Sequence, residues 1–251
     1  MRRPLGGYQV TLHIPARMRD ISISDWVLIL TTLFLGATAV LTPAVGGSIK
    51  RWWLEPKLRI DYAPRPPGAH KTRLDVRLSE SQVDRRSAYY LRFAVTNTGR
   101  TQAHRCEAVL EELWHANSKG GLERFPTFGP TGLTWGAGYN EFVEINPSRL
   151  FFCDFISIPD PAAQLTLGRL NRYVNLPGPE FECGLVLCTR AAFYSQPNRL
   201  PPGKYRLKVA VFSENAAPAR RSFDIDWSGE WKDDEALMFE ECIIRAFAVA
   251  A

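Results

Sequence analysis

The sequence predicts a mainly β chain: an antiparallel β-sandwich preceded by one apolar, membrane-spanning helix and closed by a short C-terminal helix. Three observations predict it. The 24 residues from Trp26 to Ile49 include no charged side chain. After residue 56, about seven segments alternate apolar and polar residues with a period of two, separated by Gly, Pro and Asn. Only DDEALMFEEC, near the C-terminus, reads convincingly as a helix of this domain, with acidic residues in its first turn where the helix dipole favours them.

The apolar run comes first. Its opening twenty residues, WVLILTTLFLGATAVLTPAV, would extend about 30 Å as a helix, the thickness of the hydrocarbon layer. Ser24 and Asp25 suit its N-terminus. Trp26 at one end, and Lys50, Arg51, Trp52 and Trp53 at the other, are the expected membrane-interface residues. Pro43 and Gly46–Gly47 interrupt the later turns, so the embedded part should end near Val45. The run is too long and too far from Met1 for a cleaved signal. A tail over 1–23, a span with its juxtamembrane extension over 24–55 and a sandwich over 57–251 are the expected divisions. Tyr8, Val10, Leu12 and Ile14 alternate as a strand would, although a tail is the simpler reading.

Charge gives the span a direction. Lys50, Arg51, Lys57, Arg59 and Arg65 follow it closely, whereas Arg17 and Arg19 precede it and Arg2 and Arg3 lie farther out. The positive-inside bias therefore points to a plasma-membrane protein with its C-terminal domain in the cytoplasm. Residues 57–105 carry 11 Lys/Arg against 4 Asp/Glu, while 106–251 carry 14 against 19. A basic part near the lipid followed by an acidic remainder fits a bilayer contact and argues against nucleic acid. The five cysteines are irregularly spaced and odd in number, and read as buried thiols in a reducing compartment.

Within the sandwich, Leu58, Ile60 and Tyr62 alternate directly after Pro56. The polar stretch 64–87 reads as a long surface loop or ragged hairpin. SAYYLRFAVTNTGR places Tyr89, Leu91, Phe93 and Val95 on one face and ends in Asn97-Thr98-Gly99, a turn with candidates for positive φ. AHRCEAVLEELW reads as its partner, with Cys106, Ala108 and Leu110 inward. RLFFCDFISIP, GLVLCTR, LPPGKYRLKVAVFSEN and RRSFDIDW supply further strands. Leu237, Met238 or Phe239 would dock the C-terminal helix.

The run FAVTNTGRTQAHRCEAVLEEL resembles the strand, Asn-x-Gly turn, strand element of bacterial Ig-like domains of the CARDB kind, and LPPGKYRLKVAVFSEN resembles their closing hairpin. The layout is similar to that of prokaryotic single-pass membrane proteins carrying such a domain. The resemblance covers about 60 of 251 residues and departs from the module in a long insertion around 115–200. It implies an Ig-like sandwich with a binding or adhesion role, and carries no functional residue across.

The insertion holds the one candidate surface. Phe125, Phe128, Trp135, Tyr139 and Phe142 sit among Gly129, Gly132, Gly136 and Gly138. Such a loop can recognise a partner or fill the core; Phe128, Trp135, Tyr139 and Phe142 are the binding candidates. No phosphate-binding loop, nucleophile elbow or spaced metal motif occurs, and Cys183 and Cys188 lack a neighbouring His. The expectation is therefore a non-enzymatic module, without cofactor, metal or catalytic residue, that binds another protein at the membrane. A ligand sensor is the alternative, and an enzyme with a dispersed site is a third reading.

Overall fold

Alternation from Tyr89 to Asn97 marks the central strand. In the computed structural model, which describes residues 22–36, 54–77, 83–136, 141–164, 176, 182–191 and 196–248, this strand is β3, Val83–Asn97. Tyr89, Leu91, Phe93 and Val95 are fully buried on one of its faces. On one side β3 pairs with two strands end to end. β1, Leu58–Tyr62, faces its C-terminal part and β2, Ala69–Arg77, its N-terminal part. The stretch expected as a loop or ragged hairpin is thus a regular hairpin. Its prolines fall in the 63–68 turn, leaving residues 69–77 free to pair.

β4, Ala103–Ala116, buries Cys106, Ala108 and Leu110 as expected. β9, Leu150–Pro159, is apolar almost throughout and pairs with β3 through a bulge at Leu91/Arg92. β12, Gly203–Ser213, and β13, Ala216–Trp227, form the long C-terminal hairpin. Short strands fill the flanks: β5 (Leu122–Arg124), β6 (Thr131–Gly132), β7 (Thr134–Trp135), β8 (Val143–Ile145), β10 (Leu185–Leu187) and β11 (Arg199–Leu200). The expected C-terminal helix forms over Glu235–Glu241, and its Asp234 cap accepts from the amides of Ala236 and Leu237. It leads at once into β14, Cys242–Ala248, a strand the sequence reading did not include. Among the described residues the sheets are two, of seven strands each, all antiparallel. One runs β1-β3-β9-β10-β11, with β2 and β7 beside it; the other runs β14-β13-β12-β4-β5, with β6 and β8 beside it.

The sheets close on aromatic side chains. Phe155 and Phe223 lie 4.9 Å apart between ring centroids, with Phe93 at 5.6 and 5.8 Å from them and Tyr62 at 6.0 Å from both. Such pairs add directional attraction to their burial. Of the three residues expected to dock the C-terminal helix, Met238 is fully buried, Phe239 packs at the core's edge, and Leu237 is half exposed.

Residues 1–53 form a compact unit separate from 54–251. Its described helix spans 23–36. Ser22 caps it in a reciprocal box with Asp25: the Asp25 amide donates to Ser22 Oγ at 3.3 Å, and the Ser22 amide to Asp25 Oδ2 at 3.0 Å. The cap therefore precedes the expected Ser24. No helix of the described residues is long and apolar enough to cross a membrane. The expected span is described only as far as residue 36, and Lys50, Arg51, Trp52 and Trp53 lie outside the described residues.

Candidate functional site

The structure disperses the expected aromatic surface. Phe128 and Trp135 are 3% and 2% exposed and belong to the core, Trp135 because β7 pairs it with Cys153 of β9. Neither offers a contact surface. Gly132 leaves room for the Arg190 guanidinium and Gly136 for the Asp154 carboxylate, so the same composition that suits a recognition loop here fills a core. Phe142 is half-buried under Arg105, whose guanidinium lies 4.2 Å from the ring centroid. Tyr139 lies outside the described residues.

Strand registers define two ends of the sandwich. Leu58 faces Asn97 and Leu150 faces Thr96, so these residues share the end at which the chain enters from Leu54. Tyr205 faces His115 and Gly203 faces Trp227 at the opposite, distal end. There a cleft of about 380 Å³ opens, lined by His115, Phe125, Pro126, Leu176, Pro201–Pro202 and Tyr205. β5 returns beside the end of β4, which sets the Phe125 ring edge-on to His115 at 6.1 Å. The Tyr205 hydroxyl donates to the Pro201 carbonyl at 2.7 Å and fixes the opposite wall. Burial raises the Tyr205 pKa, so this hydroxyl stays a donor. Gly229 backs the wall with φ +94; a Cβ there would sit 2.4 Å from Pro202 Cγ.

The cleft's polar groups are few. His115 Nδ1 lies 3.3 Å from the Ala116 carbonyl, which accepts only from an Nδ1–H; in the neutral ring that leaves Nε2 as the acceptor. Lys204 stands exposed on the rim, 3.4 Å from Asp226. An aromatic and proline lining with one cation and one imidazole can hold an apolar group and orient it. Of these residues only Phe125 belongs to the aromatic run that the sequence singles out; Tyr205 reads there as an inward strand residue and His115 as a surface one. The signal for the others is the Pro201-Pro202-Gly203 turn, which was read only as punctuation.

A second cluster lies on the outer face of the β3–β9 sheet. Arg92 Nε donates to Asp154 Oδ1 at 2.5 Å, and Asp154 is 8% exposed. Burial raises the Asp154 pKa despite Arg92, while burial and then Arg92 lower that of His70. The nearby Cys188 thiol is pushed up to about 12 by burial. Cys106 rises to about 11, and Cys183 and Cys242 to about 12, for the same reason. Thiols so held are protonated and poor nucleophiles. All five cysteines are unbridged. Among the described residues no group of three His, Cys, Asp or Glu side chains is placed to hold a metal.

Neither the protein-family models, nor the curated proteins, nor the solved structures contain a match to this chain. They therefore do not bear on the resemblance of the strand, turn and strand around Asn97 and of the LPPGKYRLKVAVFSEN hairpin to Ig-like domains of the CARDB kind.

Proposed function

We propose that the chain is a membrane-tethered, non-enzymatic interaction module that binds an apolar segment of a partner protein in its distal cleft. The observation that carries the reading is a concave, aromatic and proline-lined surface at the end of the sandwich away from Leu54. Tethering draws on the helix 23–36. Its large apolar side chains, Ile23, Trp26, Val27, Leu28, Ile29, Leu30, Leu33, Phe34 and Leu35, are all at least 41% exposed and cover its whole circumference. A helix apolar all round is at home inside protein or lipid. The uncharged sequence continues to Ile49, and the basic residues after it favour a cytoplasmic sandwich at the plasma membrane.

Phe125 is half-buried at the cleft wall and outside the inter-sheet aromatic cluster, so Phe125→Ala should leave the fold intact. The full chain carrying a photo-crosslinker at Pro126 is expected to capture a protein, and Phe125→Ala to reduce that capture tenfold. Unchanged capture by a folded Phe125→Ala, Lys204→Glu variant rejects the cleft. A small-ligand sensor is the second reading, because 380 Å³ lies within the range of small-molecule pockets. A compound filling the cleft at a hundred times its Kd would stabilise the fold by about 2.7 kcal/mol, read as a thermal shift.

A further inference from the structure

One sheet ends in a strand whose outer edge is left open. β14 is the last strand of its sheet and pairs with β13 alone. The Ser228 amide donates to the Glu241 carbonyl at 3.0 Å, one register step before Trp227↔Cys242. Bonded pairs alternate along an antiparallel ladder, so Ile243, Arg245 and Phe247 exchange bonds with β13. The N–H and C=O groups of Ile244, Ala246 and Ala248 therefore point away from the sheet, and among the described residues nothing bonds them.

Folded proteins ordinarily block such edges, because an open strand pairs with other chains. β2, at the edge of the other sheet, is blocked: the Lys71 amide donates to Glu235 Oε1 at 2.6 Å, and Lys71, Arg73, Asp75 and Arg77 crowd the strand with charge. β5, at the opposite edge of the sheet that holds β14, is only 3 residues long. β14 has neither protection. Arg245 is the single charged side chain in CIIRAFA, and no proline or glycine interrupts it. On its outer face Ile243 and Phe247 flank Arg245 at 40% and 45% exposure, while Ile244 and Ala246 pack against the core.

We infer that β14 pairs antiparallel with β14 of a second copy of this chain, with Arg245 of each copy opposite Phe247 of the other. Bonded pairs can form only between residues whose free groups face the edge. Centring the pairing on Ala246 sets Ile244 against Ala248 and Ala246 against its own counterpart, which engages every free group. The same register brings each guanidinium across from an aromatic ring, a cross-strand contact that cation–π attraction favours. Centring on Ile244 instead sets Ala246 against Cys242, whose amide already donates to the Met238 carbonyl. Centring on Arg245 places two guanidiniums directly opposite, where like charges repel. The strand is thus complementary to itself, as a two-fold contact between identical patches requires, and this is why the occupant is a second copy. The pairing depends on neither the tether nor the cleft.

Sedimentation equilibrium of the full chain in density-matched detergent tests it. The unaltered chain is expected to show a monomer–dimer equilibrium. Phe247 is exposed, so replacing it spares the core. Phe247→Lys sets an ammonium opposite Arg245 and should raise the dissociation constant by about tenfold or more. Phe247→Glu sets a carboxylate there and should keep the dimer, now weakened by salt. Ala246→Pro removes an edge N–H and no ladder bond, and should abolish the dimer while the circular dichroism stays unchanged. An unaltered chain that is monomeric throughout, a dimer equally tight in every variant, or equal weakening by Phe247→Lys and Phe247→Glu overturns the inference.

Discussion

Asn97 shows how much one amide can organise. A buried amide offers two donors and two acceptor lone pairs, and this one satisfies four partners drawn from separate segments. Removing it leaves buried backbone groups unpaired, at a cost of about 1–3 kcal/mol each when no water reaches them. Asn97→Ala should therefore destabilise the fold by at least about 3 kcal/mol, measured as a lower urea midpoint at unchanged slope. Gly99 beside it was expected to provide positive φ. Its actual requirement is proximity, since a Cβ there would lie 2.5 Å from both the Glu55 carbonyl oxygen and the Lys57 nitrogen. The left-handed non-glycine residues described at this end are Arg105, at φ +48, and Ser148, at φ +59. Ser148 is exposed, so Ser148→Gly should relieve the strain and stabilise by about 0.5–1 kcal/mol in the same measurement.

His70 gives the fold a pH dependence with a defined sign. Burial and Arg92 lower its pKa below the ordinary value near 6.5. A group whose folded pKa is depressed contributes stability above its unfolded pKa and loses it as pH falls toward the folded one. Unfolding midpoints should thus decline below about pH 6.5, and His70→Gln should flatten that decline. Asp154 acts oppositely. Its raised pKa makes the folded state take up a proton first on acidification, which returns part of the loss at lower pH.

Among the elements, those with enough residues to show a period were legible and the rest were not. β3 alternates from Tyr89 to Asn97 and β12 from Tyr205 to Val209, so the sequence displays their inward faces directly. β6, β7 and β11 have two residues each, and two residues carry no period. β6 and β7 cover edges of β4 and β9, while β11 extends the sheet from β10. β14 was missed because its residues follow EALMFEE without punctuation, and the helix pattern masks the change of period. Met238 is that helix's fully buried side chain, and Phe239 adds a contact 5.8 Å from the Tyr89 ring. Met238→Ala should cost about 2–4 kcal/mol by thermal or urea unfolding, whereas Leu237→Ala, half exposed, should cost well under 1.

For the whole molecule, a mainly β fold of two antiparallel sheets followed from alternation and turn residues, because a half-buried sheet demands that pattern. The cleft did not. Its walls come from positions around 115, 125 and 201–205, distant in sequence and joined only through strand registers. Phe125 was visible as an aromatic residue, but nothing local separates it from Phe128, which the fold buries. The sheets meet on Phe93, Phe155 and Phe223, so Phe223→Ala should cost about 3–5 kcal/mol and lower the cooperativity of unfolding monitored by near-ultraviolet dichroism.

The pairing of β1 with β3 has a mechanical consequence. The chain enters at Leu54, β1 begins four residues later, and its partners run from Leu58↔Asn97 to Tyr62↔Phe93. A pull on Leu54 directed away from the distal end lies along β1, at right angles to its hydrogen bonds, which cross perpendicular to antiparallel strands. Every bond of that pair is then sheared at once instead of being opened one after another. Five residues of β1 thus act as a clamp against tension. A sandwich gripped at its far end should resist extension more strongly than one pulled across its strands, a contrast that single-molecule stretching from residue 54 against either residue 203 or residue 150 would measure.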